Sequence, residues 1–550
     1  MSVSQKVDSA PASDATHVGA EAWVAAGLIL IAAAAFSLLR VQAVNLPWHL
    51  ATARVAEATG HWLASNTFSY TFPDYPVYQQ YPVFQATVWA VYRAFGWSGL
   101  SVTAAVGWVL VFLLFVRWAG PFRRAPRFHV IWMLGLCALQ RRMILRPDLF
   151  TMIALGVQLG ALDAFMRGRT RALVAIPIVH VLWANSHQLF PLSLLVQGLC
   201  LGDLVRQRDR RRSVLVALAL AASLLLTFAT PLGWRIVLAP LRTAQSLSVF
   251  RDHVAEFARI WHKPLELSLA LVTGIPAVWA LWRTRRTTPL FELGLWLMSL
   301  ALVISAVRGL MFFGIVSVAI FQRCAIRLYA GGETWFPPLG AGVRRTLRGI
   351  GFAVTAVIAA TAVHYRWVRP PLVLGGTQPG LGRTIGGWAE SATDFLRASP
   401  PPGRMLNLGA GLGDDVIFWV PGLPVFVDSR LESYPPEFLR DVLAAETSDA
   451  ALGELIGRFG AQWIFIDHTR PALRDRAAVL VRRGWRPVYA DSECLVLVRP
   501  SPATQAYLHD HELDLARAQP PDLVAGFPSL REEQRARFGR LAAALANQTQ

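Results

Sequence analysis

Trp48 and His49 stand side by side in VNLPWHLATARVAEATGHWLASNTFSYT, residues 44–71, just after the first long apolar run of the chain. A histidine can move a proton near neutral pH, and an indole offers an apolar face with one N–H donor. No acid accompanies the pair. Further polar residues recur in groups along the chain: Asn45, Arg54 and Asp74 around this stretch; Arg141, Arg142, Arg146 and Asp148; Asn185, His187 and Gln188; Arg235, Asp252, His253, Glu256 and His262; and Arg308. Guanidinium groups recognise phosphate by paired hydrogen bonds, and an Asp or His can take a proton in a transfer step. Cations beside aromatic rings and apolar helices suit a ligand with an anionic head and a greasy tail.

The elements that must position these groups are membrane-like. The chain has 550 residues, of which 54% are hydrophobic and only 16% charged, with 20 Trp, a balance that places it in the membrane class. Apolar runs near 20 residues, long enough for a hydrocarbon core of about 30 Å, begin with Ala22 to Leu39. They continue near 99–118, 128–145, 148–166, 171–184, 188–205, 213–230, 266–283, 289–306, 308–328 and 346–365. Eleven transmembrane helices are expected.

The net charge of +18 is spread over short clusters: Arg123, Arg124 and Arg127; Arg167, Arg169 and Arg171; Arg206, Arg208 and Arg210 to Arg212; Arg283, Arg285 and Arg286; Arg344, Arg345 and Arg348. Each falls between an even span and the next odd one, and short basic loops stay cytoplasmic. The charge is therefore a topology signal and not a nucleic-acid footprint. It puts the N-terminus in the cytoplasm and everything after about residue 366 outside. Nearly all the polar groups listed above then share the outer face, where such groups at membrane depth mark a site by default.

Blander roles compete with function for several of them. Trp48 and Tyr70, Tyr75, Tyr78 and Tyr81 also fit an interfacial aromatic belt, Arg54 can pair with Glu57, and His187 in WANSHQ can make an interhelical hydrogen bond. Arg146 favours function, because an arginine at the outer end of a span opposes the positive-inside trend.

Outside the spans, residues 1–20 read as a disordered cytoplasmic tail, and the first span reads as a retained anchor. Four scattered cysteines imply neither a disulfide nor a Cys metal site. Pro370, Pro371 and GGTQPGLG form a linker. Beyond it, the apolar runs Met405–Leu408, Val425–Val427, Trp463–Ile466 and Cys494–Val498 alternate with helix-like stretches, which predicts a small α/β domain over 366–500 and a helical polar tail over 501–550. LNLGAGLGDD followed by VFVD looks like a cofactor-binding turn, but Pro421-Gly422 leaves no room for a crossover helix. A structural turn is expected there.

The order W-H-L-A-x-x-R (Trp48–Arg54), F-S-Y-T (Phe68–Thr71), L-R-P-x-L-F (Leu145–Phe150), L-W-A-N-x-H (Leu182–His187) and P-x-G-W-R (Pro231–Arg235) resembles a family of bacterial multispanning membrane proteins. These have a GT-C-type glycosyltransferase fold and are distantly related to protein mannosyltransferases and lipid A aminoarabinose transferases. VFVDSRLESY (Val425–Tyr434) and GWRPVYAD (Gly484–Asp491) fit the same pattern, so the resemblance covers about residues 21–500.

The resemblance implies transfer of a sugar from a polyprenyl-phosphate-linked donor to a saccharide or protein acceptor, at the outer face of the bacterial inner membrane. No nucleic acid is implied, and a divalent metal is left open as a cofactor. Acids expected at the positions of Asn45 and Asn66 and near Tyr81 are absent here. On this reading Asp74 or His49 is the remaining base. Arg146, Arg308 and Arg54 surround the donor phosphate, Asn185 and His187 hold sugar hydroxyls, and Asn45 and Trp48 complete the substrate site. The alternative is a non-catalytic scaffold or binder of a lipid-linked saccharide in envelope assembly. A transporter is third, since no inverted repeat is seen.

Overall fold

The computed structural model describes residues 14–42, 45–78, 80–120, 129–250, 254, 256–330, 341–364, 367, 374 and 376–546. Expectations that concern Arg123, Arg124, Arg127, Asp252, His253, Pro370, Pro371 and most of the N-terminal tail fall outside these residues. Each of the eleven apolar windows contains a helix: Asp14–Ser37, Pro82–Ala119, His129–Leu139, Pro147–Met166, Ala175–Ala184, Pro191–Arg206, Arg210–Leu226, Pro264–Arg283, Leu290–Ser305, Leu310–Ala330 and Ala341–Val363. Four segments, Pro82–Ala119, Pro147–Met166, Pro264–Arg283 and Val307–Leu328, are long and apolar enough to cross a membrane. Several others are shorter than the apolar runs that predicted them.

Local chemistry accounts for the shortening. After His129–Leu139 the chain tightens into a 3₁₀ turn at Gln140–Arg142, and Arg146 is extended (φ −145°, ψ 162°) because the residue before a proline disfavours the helical region. Pro147 then starts the next helix, where its missing N–H costs nothing. Thirty-eight residues from Pro82 to Ala119 form two helices joined at Gly96, whose φ of 60° and ψ of −155° suit glycine. Trp108, Phe112, Phe115 and Trp132 fill the interior. Outward residues such as Val106, Leu218, Leu225, Ile275 and Trp282 stay exposed, an apolar surface of the kind that lipid covers.

The C-terminal region builds one four-stranded sheet from β1 (Arg404–Leu408), β2 (Ala461–Asp467), β3 (Arg486–Ala490) and β4 (Cys494–Val498). Its order is β1-β2-β4-β3, with β1 and β2 parallel and the other pairs antiparallel. Every residue of β4 is buried, as an apolar run between two helical layers should be. Pro528–Ala546, expected as a polar tail, is amphipathic and buries Leu541 and Leu545 in this domain's core.

Val425–Val427 does not join the sheet. Its backbone is satisfied from two other directions: Asn407 Oδ1 accepts from the N–H groups of Phe426 and Val427, and Asn407 Nδ2 donates to Val427 O. The loop between Leu46–Thr59 and Pro82–Ala119 supplies the rest, with Tyr70 N–H donating to Val425 O and Val425 N–H to Phe68 O. FSYT is therefore a docking strip for the C-terminal domain. Tyr70 Oη adds a bond to Met405 O at 2.6 Å, and Phe72 packs edge-on against Phe438 at 4.9 Å. The glycine-rich turn opens a helix of ten residues, Ala410–Trp419. A Cβ at Gly413 would lie 2.0 Å from Val427 O, so this glycine permits a close backbone approach.

Candidate functional site

The helix Leu46–Thr59 begins at Asn45, which takes a left-handed conformation (φ 64°) that asparagine tolerates better than most residues. This entry turns Asn45, Trp48 and His49 towards a cavity of about 120 Å³. Six other segments complete its wall. Tyr81 immediately precedes Pro82–Ala119, while Arg142 ends the turn Gln140–Arg142, Arg146 is the extended residue before Pro147, and Asp148 lies in the first turn of Pro147–Met166. His187 and Gln188 come from the turn after Ala175–Ala184, and Glu256, Phe257 and Arg308 from two later connections. Ser429, Leu431 and Glu432 come from the C-terminal domain.

Two acids tie the basic residues together. Asp148 pairs with Arg142 and lies 3.1 Å from His187 Nε2. Glu256 pairs with Arg142 and, at 2.9 Å, with Arg146. Burial alone would raise the Glu256 carboxyl, but Arg146 and Arg142 outweigh it and hold the group below its usual range. Thr151 Oγ1 accepts from Trp183 Nε1 at 2.9 Å and meets His187 Nδ1 at 2.8 Å. With Nδ1 as acceptor, the Nε2–H of His187 is aimed at Asp148.

Arg308 differs from the other arginines. Its guanidinium lies 5.0 Å over the Phe257 ring, and among the described residues it has no carboxylate partner. The Trp48 Nε1–H is likewise buried with no acceptor among the described residues, although a buried N–H ordinarily finds one.

His49 is buried against Trp48 with ring centroids 3.6 Å apart, and it also contacts Tyr81 and Phe84. The Gln85 amide Nε2 stands 3.1 Å from its Nδ1, which leaves the ring proton on Nε2. Burial, with the charges of Arg146 and His187, pushes its pKa well below the ordinary histidine value. It is a neutral donor and a weak base.

Of the residues expected at the site, Asn45, Trp48, His49, Arg146, His187 and Arg308 converge on the cavity. Three do not. Asp74 is solvent-exposed and does not line the cavity. Arg54 donates to the carbonyls of Phe418 and Ile417 at 3.0 and 3.1 Å, so it clamps a helix of the C-terminal domain and does not pair with Glu57, which binds Arg93 and Trp89 instead. Asn185 donates to Val181 O and Ala229 O and serves packing.

Asp148 and Glu256 stood in the polar groups along the sequence but not among the residues expected at the site. Glu432 carried no local signal beyond its place in VFVDSRLESY. It is half-buried, and burial pushes its carboxyl up to about 7. Among the described residues no set of three or more His, Cys, Asp or Glu could hold a metal ion.

A second cavity of about 340 Å³ shares Arg142, Arg146, Glu256 and Arg308 with the first. Its other walls carry Ile144, Leu265, Leu269, Leu310 and Met311, with Lys263 at the side. One basic wall therefore stands between a polar cavity and a mostly apolar one.

No family model matches the chain, and no curated protein sequence does. Solved structures do match. The archaeal oligosaccharyltransferase AglB from Archaeoglobus fulgidus, in complex with an inhibitory peptide and a dolichol-phosphate, gives a TM-score of 0.58 at 12% identity, covering 84% of this chain and 72% of that one. An oligosaccharyltransferase of Archaeoglobus fulgidus tethered with an acceptor peptide gives 0.56 at 12% identity, over 87% and 74%. The mycobacterial arabinofuranosyltransferase AftD gives 0.51 at 14% identity, over 87% of this chain and 41% of that one. The chain has the fold of these glycosyltransferases, the GT-C type.

Proposed function

We propose that the chain is a membrane glycosyltransferase that takes a sugar from a polyprenyl-phosphate-linked donor at the outer face of the inner membrane and passes it to a saccharide or protein acceptor. The observation that carries this reading is the shared basic wall. Arg142, Arg146 and Arg308 face both cavities, and the carboxylates Asp148 and Glu256 pair with Arg142 and Arg146 while Arg308 has no carboxylate partner among the described residues. A lipid phosphate at this wall would place its prenyl chain along Leu265, Leu269, Leu310 and Met311 and its sugar beside Trp48, His49 and His187.

The dolichol-phosphate and the acceptor peptides bound by the structural neighbours support the same pair of ligands. Arg308, with no carboxylate partner among the described residues, is the first contact for the phosphate. The buried Trp48 N–H, with no acceptor among the described residues, meets a sugar oxygen, and the Asp148–His187 pair can orient a hydroxyl. A non-catalytic binder of the same lipid uses the same wall, and Asn45, Asn66 and Tyr81 in place of acids favour it.

The test is binding of undecaprenyl phosphate to the full-length chain in nanodiscs, with the envelope glycans of cells that lack the chain profiled in parallel. Binding weakened about ten- to a hundredfold by Arg308→Ala, together with a glycan that disappears with the chain, supports the transferase. Absence of binding by the wild type removes the reading, and binding with an unaltered glycan profile leaves the binder.

A further inference from the structure

We infer that Glu432, carried into the cavity by the C-terminal domain, is the proton acceptor of the transfer step and that Asn66 positions it. This rests on the glycosyltransferase reading. Among the described residues three acids line the cavity, and two are occupied: Asp148 by Arg142 and His187, Glu256 by Arg142 and Arg146. Carboxylates held by guanidinium groups are poor bases. No other described residue donates a hydrogen bond to the Glu432 carboxylate, which lines the cavity unpaired by any guanidinium among the described residues.

Burial brings that carboxyl close to neutrality, the range where a general base works best. The groups around it are Arg430 and Asp428 on its own loop and Tyr81 from the first outer loop. Ala239–Phe250, which packs on the same turn, carries Arg242 over the Tyr78 ring. Across the cavity stand Arg142, Arg146, Arg308, Asp148, Glu256, His49 and His187.

The turn that presents Glu432, Leu431–Ser433, is held rigidly. Asp428 accepts from Arg430 Nε at 2.9 Å, from Arg430 Nη2 at 2.7 Å and from Tyr434 Oη at 2.7 Å. Asn66 closes the arrangement from the first outer loop, accepting from Arg430 Nη2 at 2.7 Å and donating to Ser433 O at 3.1 Å. Asn66, Arg430, Asp428 and Ser433 are all buried. An aspartate at position 66 has no N–H to give to Ser433 O. The asparagine that stands in place of an expected acid thus has a use of its own, which is to fix the acid supplied by the other domain.

In the step, the Glu432 carboxylate takes the proton of the acceptor hydroxyl, and the acceptor oxygen forms a bond to the anomeric carbon of the donor sugar. The bond from that carbon to the phosphate oxygen breaks, and the phosphate keeps the electron pair and faces Arg308 and Arg146. Glu432 then gives its proton to water. Atoms and charge balance with no further reactant.

The experiment uses the full-length chain in nanodiscs with dicyclohexylcarbodiimide, which modifies protonated carboxyl groups in apolar surroundings, and locates adducts by peptide mass spectrometry. Labelling of Glu432 should fall to half near about pH 7, while Asp148 and Glu256 stay unlabelled. Asn66→Ala should move that midpoint, and an unmoved midpoint removes the positioning role. In cells, Glu432→Gln should lower the chain-dependent glycan by about a hundredfold or more, and Glu432→Asp should restore part of it. Both variants should bind undecaprenyl phosphate within about twofold of wild type.

No labelling of Glu432, or a wild-type glycan level in Glu432→Gln, overturns this inference while lipid binding by the wild type stands. If the wild type itself binds no undecaprenyl phosphate and its removal changes no glycan, the failure lies with the glycosyltransferase reading.

Discussion

Asn66 accepts a hydrogen bond from Arg430, 364 positions on, at 2.7 Å and returns one to Ser433 O at 3.1 Å, joining the loop before Pro82 to the C-terminal domain. Removing it leaves a buried carbonyl unpaired. Asn66→Ala should therefore cost about 1–3 kcal/mol, read as a lower thermal midpoint of the purified chain. Unchanged stability would mean that the other contacts between the two regions, those of Phe68, Tyr70, Phe72 and Arg54 among them, suffice to hold them together.

Arg308 and Arg142 should behave oppositely. Arg308 has no described carboxylate partner, so Arg308→Ala should weaken undecaprenyl phosphate binding while leaving the thermal midpoint nearly unchanged. Arg142 neutralises both Asp148 and Glu256, and Arg142→Ala should destabilise the chain by on the order of 3 kcal/mol. Equal destabilisation by the two variants would contradict this division.

Asp74 and Glu432 separate two places for the base. Asp74 is exposed and off the cavity wall, so Asp74→Asn should leave the glycan profile intact, while Glu432→Gln should abolish the chain-dependent product. Loss of product in Asp74→Asn would return the base to the loop before Pro82.

Asp415 makes stability depend on pH. Its Oδ2 accepts from Ala389 N–H at 2.9 Å, its Oδ1 has no described partner, and burial pushes its carboxyl up to about 7. The folded chain thus keeps a proton that the unfolded chain releases near pH 4. This contribution to stability is complete below about pH 4 and is lost as the pH rises through about 7. Asp415→Asn keeps the acceptor for Ala389 and should gain on the wild type between about pH 5 and 8 in denaturant unfolding. Parallel curves would rule the group out.

Gly413 and Gly411 share one turn but not one role. A Cβ at Gly413 meets Val427 O at 2.0 Å, while one at Gly411 meets nothing within 4 Å. Gly413→Ala should cost about 1–3 kcal/mol and Gly411→Ala much less. Loss of affinity for a nucleotide in either variant, with stability intact, would restore the cofactor reading.

Apolar runs, prolines and glycines act on their immediate neighbours, so the sequence by itself determined the eleven helical windows, the break at Pro147 and the change to an α/β pattern beyond residue 400. The ordered motifs pointed to the GT-C fold for the same reason, since each is a short local signature. Convergence is not local. Whether Arg54 meets Glu57 or the carbonyls of Ile417 and Phe418, and whether FSYT lines a site or docks a domain, depends on which distant surface arrives. Only the tertiary structure decided that Asn66 holds Arg430 and that Glu432 reaches the cavity of Trp48 and His49, because a polar side chain bonds with whatever partner the packing of apolar surfaces brings within about 3 Å, and no pattern along the chain records that partner.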